Sequence, residues 1–204
     1  MSGEADDREL VTSDGVVYSF RHVALRFDGP VGGDAFALKN NKSLAETLAH
    51  RRYKGLAREA EDHSALLDMP LGEFLLGLKR NGDTFYKRFL NKHGDQSFSV
   101  FAIDDPEILG KKGVYAYYVD DELHYIGRCR DTMKKRINQG YGKIHPKNCY
   151  IDGQSTNCHL NAKITEAGDA VSLWFCDLDS DAEISAVEVD LIRRYQPAWN
   201  IQKH

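Results

Sequence analysis

The chain has 204 residues, with 27 Lys plus Arg against 31 Asp plus Glu and 42% apolar residues, enough for one sizeable core or two small ones and too apolar for wholesale disorder. No apolar run is long enough to span a bilayer, and the opening MSGEADDREL lacks the basic and apolar regions of a signal peptide, so a cytoplasmic protein without a membrane partner is expected. Cys129, Cys149, Cys158 and Cys176 are too few and too irregularly spaced for a disulfide framework and read as reduced thiols.

Residues 1–13 are acidic and aperiodic, which predicts a mobile tail. Residues 14–109 read as a mixed α/β N-terminal region whose role would be DNA binding or dimerisation. It opens with a strand: Val16, Tyr18 and Phe20 alternate, and a change of parity to Val23, Leu25 and Phe27 places a bulge or break near Arg21 and His22. Ser43 and Glu46 form a capping box at the head of a helix running to about residue 62, with Leu44, Leu48, Leu56 and Ala60 as its stripe. Arg51, Arg52, Lys54 and Arg58 on its other faces fit either a solvated surface or a DNA contact. A second helix follows Pro70, and Asp83 caps a third helical stretch ended by Gly94. Residues 97–103 alternate as a strand, and residues 110–113 mark a boundary.

Residues 110–204 form a second unit organised around KGVYAYYVDDELHYIGRCRDTMKKR, residues 112–136. Residues 113–119 and 122–127 flank an Asp-Asp corner and read as a hairpin. A bare two-residue loop would put Tyr115 and Tyr125 on opposite faces. One extra loop residue, or a bulge, would instead gather Val114, Ala116 and Ile126 on a core face and Tyr115, Tyr117 and Tyr125 on the other. The odd offset is expected, carried by the loop, because it sorts side chains by polarity. Asp131 would then cap a helix with Met133 and Ile137 inward, Arg136 beside that stripe, and Lys134 and Lys135 turned out.

Residues 139–169 are longer and more polar than a minimal connection. Gln154, Asn157 and Asn161 are side-chain types that read bases or phosphates, and Lys143, His145 and Lys147 could anchor a strand backbone; a polar surface insertion is the alternative. Cys149, Cys158 and His159, with His145 nearby, lack the Cys-x-x-Cys pair of a metal site. Ser180 and Glu183 open a last helix with the stripe Ile184, Val187, Leu191 and Tyr195. Glu188 falls on that stripe, where a carboxylate is costly unless it is salt-bridged or binds a divalent cation.

GVY at residues 113–115, YIG at 125–127, KKRI around Arg136 and the terminal EVDLIRRYQPAWN, with Glu188 and Asn200, resemble in order and spacing the GIY-YIG nuclease family over roughly the last half of the chain. The resemblance implies an α+β fold whose C-terminal module has a small three-stranded antiparallel sheet flanked by helices, residues 170–176 being the third strand. It implies cleavage of DNA phosphodiesters with one divalent ion, Mg2+ or Mn2+. Tyr115 would be the general base or relay to it, Tyr125 would position the nucleophile or share the proton network, and Arg136 would stabilise charge on the phosphate. Glu188 would hold the metal and Asn200 would brace the site. Arg136 stands one residue further from Tyr125 than is usual, leaving Lys135 at the common position, yet the helix face favours Arg136. A His or Tyr is frequent where this chain has Gly140; Tyr141 beside it is either a secondary site residue or a packing aromatic.

Contacts to double-stranded DNA are expected from Arg128, Arg130, Lys135, Tyr141, Lys143, His145, Lys147, Gln154, Asn157 and Asn161, a locally basic set in a chain of net charge -4. The leading expectation is a site-specific, restriction-type endonuclease, for which a palindromic target would imply a two-fold homodimer. A structure-specific repair or recombination nuclease and a DNA-binding module without catalysis are the alternatives.

Overall fold

The computed structural model describes residues 7–201. In chain order the elements are β1 (Arg8–Val11), β2 (Val17–Val23), β3 (Arg26–Gly32), α1 (Leu44–Leu48), α2 (Leu71–Arg80), β4 (Phe98–Ala102), α3 (Pro106–Leu109), β5 (Gly113–Val119), β6 (Glu122–Cys129), α4 (Met133–Arg136), α5 (Ser155–Ala167), β7 (Val171–Asp177) and α6 (Asp181–Tyr195), with short 3-10 segments between them. This is a mixed α+β fold. Its main sheet is antiparallel, in the order β1-β2-β7-β5-β6, and β3 and β4 make a separate two-stranded sheet. Among the described residues no helix is long and apolar enough to cross a membrane.

The chain divides into two compact units interleaved in sequence: residues up to 28, 101–143 and 166 onward form one, and residues 29–100 with 144–165 the other. The expected cut near residue 110 is therefore replaced by a nested one. Its cause lies in two segments. The N-terminal hairpin adds to the main sheet, and the supposed polar insertion delivers Ile144, Cys149, Tyr150 and Cys158 to the core of the second unit.

In the first unit, residues 8–11 are a strand rather than a tail, while residues 1–6 lie outside the described residues. Leu10 is buried, and the Arg8 guanidinium lies 4.2 Å from the Tyr118 ring centroid and 4.6 Å from that of Trp174, so cation–π contact holds a segment that looks solvated in sequence. The break after β2 comes at residues 24–25, because Arg21, His22 and Val23 still pair with Phe175, Trp174 and Leu173. Asp120 and Asp121 both adopt positive φ, 47° and 69°, making a tight two-residue turn in which Val119 opposes Glu122. The register then slips between Tyr117 and Tyr118, so that Tyr118 pairs with Leu123, Tyr117 with Tyr125 and Tyr115 with Gly127. A bulge at His124, not the loop, supplies the odd offset. Val114, Ala116 and Ile126 consequently pack against Ile184, Val187 and Leu191 of α6. Tyr195 lies off this core, and its hydroxyl accepts the Val11 N–H at 2.9 Å.

In the second unit the Ser43–Glu46 capping box has both of its hydrogen bonds, but α1 ends at Leu48 and 3-10 turns replace the long helix expected to residue 62. Tyr53 lies off the Leu44–Leu48–Leu56–Ala60 stripe and is nonetheless buried, its hydroxyl 2.5 Å from Asp152. A straight helix would set Leu44 and Tyr53 on opposite sides, yet both are buried. α2 follows Pro70 as expected, and the core closes around Phe36, Phe74, Phe89 and Phe98.

Candidate active site

β6 is the edge strand of the main sheet, and its bulge turns Tyr125 onto the face that carries Tyr115 and Tyr117. Tyr115 and Tyr117 are fully buried and Tyr125 half-buried; the Tyr115–Tyr125 ring centroids are 6.0 Å apart and those of Tyr117–Tyr125 6.4 Å. Gly127 permits this closure. A Cβ there would lie 2.7 Å from the Tyr115 hydroxyl and 2.7 Å from the Tyr125 ring.

The chain leaves β6 into α4, capped by the Thr132 hydroxyl, which accepts the Lys135 N–H at 3.2 Å. Asp131, expected as the cap, instead pairs with Lys135 Nζ at 2.7 Å, and both side chains are exposed. Residues 137–141 then close as a π turn. The extra residue in that turn brings Tyr141, rather than Gly140, onto the tyrosines: its ring centroid is 6.3 Å from Tyr115 and its hydroxyl 3.0 Å from that of Tyr117. Arg136 faces the same group, donating from Nε to the Tyr115 hydroxyl at 2.9 Å.

Burial pushes the hydroxyls of Tyr115, Tyr117 and Tyr141 well above the ordinary phenol range and raises that of Tyr125, while the Arg136 charge opposes the shift in all four. Arg136 is in turn held more firmly charged, first by Tyr115. At neutral pH the group is therefore neutral phenols around one fixed cation.

Glu188 arrives from α6, on the other face of the sheet. Its side chain is only 13% exposed and its carboxylate accepts from Arg128 Nη1 at 2.7 Å. Because β6 has no further strand beyond it, the two faces meet around its edge in a cleft of about 510 Å³ lined by Arg128, Arg130, Asp131, Thr132, Lys135, Arg136 and Glu188. Four cations against two carboxylates make the cleft attractive to an anion. Asn200 does not line it. Its side-chain oxygen accepts the Ile126 N–H at 3.0 Å and its nitrogen donates to the Ile126 carbonyl at 2.8 Å, while the Trp199 N–H reaches the His124 carbonyl at 2.8 Å. These bonds satisfy the open edge of β6 on both sides of Tyr125 and fix the bulge.

The expected site residues are thus sorted. Tyr115, Tyr125 and Arg136 form one group, and Glu188 shares a cleft with Arg136. Arg128 is bound to Glu188, and Arg130, otherwise exposed, donates to the Ser185 hydroxyl at 2.6 Å. Tyr141 is buried and cannot meet DNA from the surface, which corrects that assignment and leaves it as the partner of Tyr117. Asn161 is also corrected: fully buried, it accepts the Ser99 N–H at 3.1 Å and donates to the Ser99 carbonyl at 2.9 Å, a clamp on β4. Lys143 is exposed in the first unit. His145, Lys147 and Gln154 are exposed in the second, where Asn157 donates to Gln154 at 2.6 Å near the start of α5. Cys149 and Cys158 are buried free thiols, and among the described residues no three His, Cys, Asp or Glu gather to hold a metal ion.

Two contributors were not singled out from sequence: Arg128 as the counter-ion of Glu188, and Tyr117 as the anchor of Tyr141. Strand parity holds the signal for both, since Arg128 is two residues from core-facing Ile126 and Tyr117 two from Tyr115. Comparison of the chain with family models, with curated proteins and with solved structures finds no match in any of the three.

Proposed function

We propose that the chain is a site-specific, restriction-type endonuclease of the GIY-YIG kind that hydrolyses double-stranded DNA with one divalent ion. The observation that carries this reading is the hydrogen bond of Arg136 to Tyr115 at the wall of a cleft that also holds the Glu188 carboxylate. On this reading β7, β5 and β6 with α4 and α6 are the family's catalytic module, and β1 and β2 extend its sheet.

The residues fit such an ion. Mg2+ keeps most of its waters and is held by one or two carboxylates together with substrate phosphate, so a single mostly buried Glu188 with an exchangeable counter-ion suffices, and Mn2+ suits the same donors. When bound, the ion supplies Lewis-acid charge at the phosphate and the leaving 3′ oxygen. Arg136, its Nε committed to Tyr115, offers its terminal nitrogens to a non-bridging phosphate oxygen. The Tyr115–Tyr125 pair, once it has lost one proton to solvent, takes a proton from the attacking water as the new P–O bond forms and the P–O3′ bond breaks, and the departing 3′ oxygen takes a proton from solvent. The pair thereby returns to neutral. Asn200 and Gly127 keep the two phenols together. A palindromic target would be met by two copies related by a two-fold axis.

The test is to digest plasmid DNA with the purified chain in Mg2+ or Mn2+ and sequence the ends. Fixed-sequence ends are expected. Cutting confined to junctions or flaps would replace the restriction reading by a structure-specific nuclease, and DNA binding without a nick in either ion would remove the enzyme.

A further inference from the structure

The second unit carries a group of lysines that the catalytic reading does not use. Lys39 and Lys42 lie on the loop before α1, and Lys147 on the turn before Tyr150. α2 begins at Pro70 without a side-chain cap of its own, and this loop supplies one: the N–H groups of Leu71, Gly72 and Glu73 donate to the Lys42 carbonyl at 2.9 Å, the Lys39 carbonyl at 3.1 Å and Asn40 Oδ1 at 3.1 Å. Gly72 is required for that approach, since a Cβ would run into the Ala37 backbone carbonyl. Tyr150 joins the two segments. Fully buried, it donates its hydroxyl to the Phe36 carbonyl at 2.9 Å, and Lys39 Nζ lies 4.7 Å from its ring centroid.

Burial pushes the half-buried Lys39 ammonium below the ordinary lysine value, the Asp152 carboxylate opposes that shift, and Lys42 and Lys147 add to it. Asp152 is itself engaged by the Tyr53 hydroxyl. Three like charges held by a pinned backbone repel one another in the free protein, and a polyanion would relieve that repulsion with little further ordering.

We propose that Lys39, Lys42 and Lys147 form a surface of the second unit that binds the phosphate backbone of duplex DNA. This rests on the nuclease reading for its choice of polyanion and extends the DNA contact beyond the catalytic cleft. Lysine ammoniums act as point charges toward phosphate, so the surface contributes affinity and salt dependence rather than sequence choice.

The test uses the 204-residue chain with Glu188→Gln to suppress cutting, a fluorescent duplex, and anisotropy over a range of salt. Lys39→Gln/Lys42→Gln/Lys147→Gln should reduce the slope of log K against log salt by about 0.9 per lost phosphate contact and weaken binding on the order of a hundredfold near 0.1 M salt. Lys→Arg at the same three positions should restore both, which excludes misfolding as the cause. Lys87→Gln/Lys92→Gln, at exposed lysines of the same unit, should keep the unaltered slope. An unchanged slope and affinity in the triple Gln variant, while the wild-type chain still cuts DNA, would overturn the lysine surface and spare the nuclease. Absence of both DNA binding and cutting in the wild type would overturn both. Loss of binding to anionic lipid vesicles with DNA affinity unchanged would assign the patch to a membrane surface and overturn the proposal.

Discussion

The two faces of the sheet formed by β7, β5 and β6 are buried to similar depth and built from opposite chemistry. Toward α6 lie Val114, Ala116, Ile126 and Trp174, a set for which packing is a sufficient account. Toward α4 lie Tyr115, Tyr117 and Tyr125, closed over by Tyr141 and Arg136. Apolar rings would fill the same space without desolvating four hydroxyls and a guanidinium, and each of those polar groups is costly unless bonded. Folding alone explains the first face. The second departs from what folding needs, and such departures gather where chemistry is done.

The sharpest break between the faces is expected from the groups that reach the cleft. On the nuclease reading Glu188→Gln removes the ion's carboxylate, and cleavage should fall by roughly a thousandfold or more while DNA binding and the thermal transition persist. Unchanged cutting in a plasmid nicking assay would take Glu188 out of the site. Arg136→Ala should lower turnover by about a hundredfold to a thousandfold, the scale of a lost oxyanion donor, whereas Lys135→Ala should stay within about threefold. A reversal of those two results would make Lys135 the phosphate clamp.

Substitutions confined to one face should separate stability from activity. Ile126→Ala leaves a cavity under α6 and should cost about 2–5 kcal/mol in urea unfolding, with the activity of the folded fraction nearly kept. Tyr115→Phe should cost about 1 kcal/mol and lower turnover by roughly a hundredfold. If both variants lost activity only in proportion to stability, the phenol face would be ordinary core. On the nuclease reading the phenols also set a pH dependence. Burial raises the Tyr115 hydroxyl well above 10.0, so the deprotonated pair is the minority form at neutral pH and the cleavage rate should climb about tenfold per unit from about pH 7 to 9. The same shift means that the native state holds these protons more tightly than the unfolded chain. Stability from this source is complete below pH 10.0, the ordinary phenol value, and is lost as pH rises above it. A flat pH–rate profile would exclude a tyrosine base.

How far these features were legible in the sequence depended on whether the deciding contact was local. The capping box at Ser43, the start of α2 after Pro70 and the sorting of Tyr115 from Ala116 follow from neighbours within a turn or a pleat. Arg136 was separable from Lys135 because both lie in one helical turn, and the turn's inward side is marked by Met133 and Ile137. Features set by distant partners were not legible. β1 depends on Arg8 lying over Tyr118 and Trp174, residues more than a hundred positions away. The nested units depend on Tyr150 reaching Phe36, and Asn161 looked like a base reader because nothing near it in sequence announces Ser99. The π turn that saves Tyr141 for the site is local, but Gly140 alone does not reveal whether the chain will bulge there or break.

The smallest expected effect concerns the join between the two faces. Arg128 lies on the α6 side with Ile126, yet its guanidinium reaches the edge cleft and covers the Glu188 carboxylate at 2.7 Å. On the nuclease reading, a cation entering that site must share the carboxylate with a positive charge or displace it, so the free protein should bind Mn2+ weakly. Arg128→Gln removes the competitor and leaves a neutral side chain that can still donate a hydrogen bond. The ion pair is partly exposed, Arg128 at 36% and Glu188 at 13%, which limits its worth to about 1 kcal/mol, or roughly fivefold in affinity. Mn2+ binding to the DNA-free protein, followed by electron paramagnetic resonance, should therefore tighten by about that factor in Arg128→Gln, while DNA affinity weakens because a phosphate contact is lost. Equal Mn2+ affinity in the two proteins would mean that Arg128 does not guard the carboxylate, and the aliphatic face would then have no part in the site beyond holding Glu188 in place.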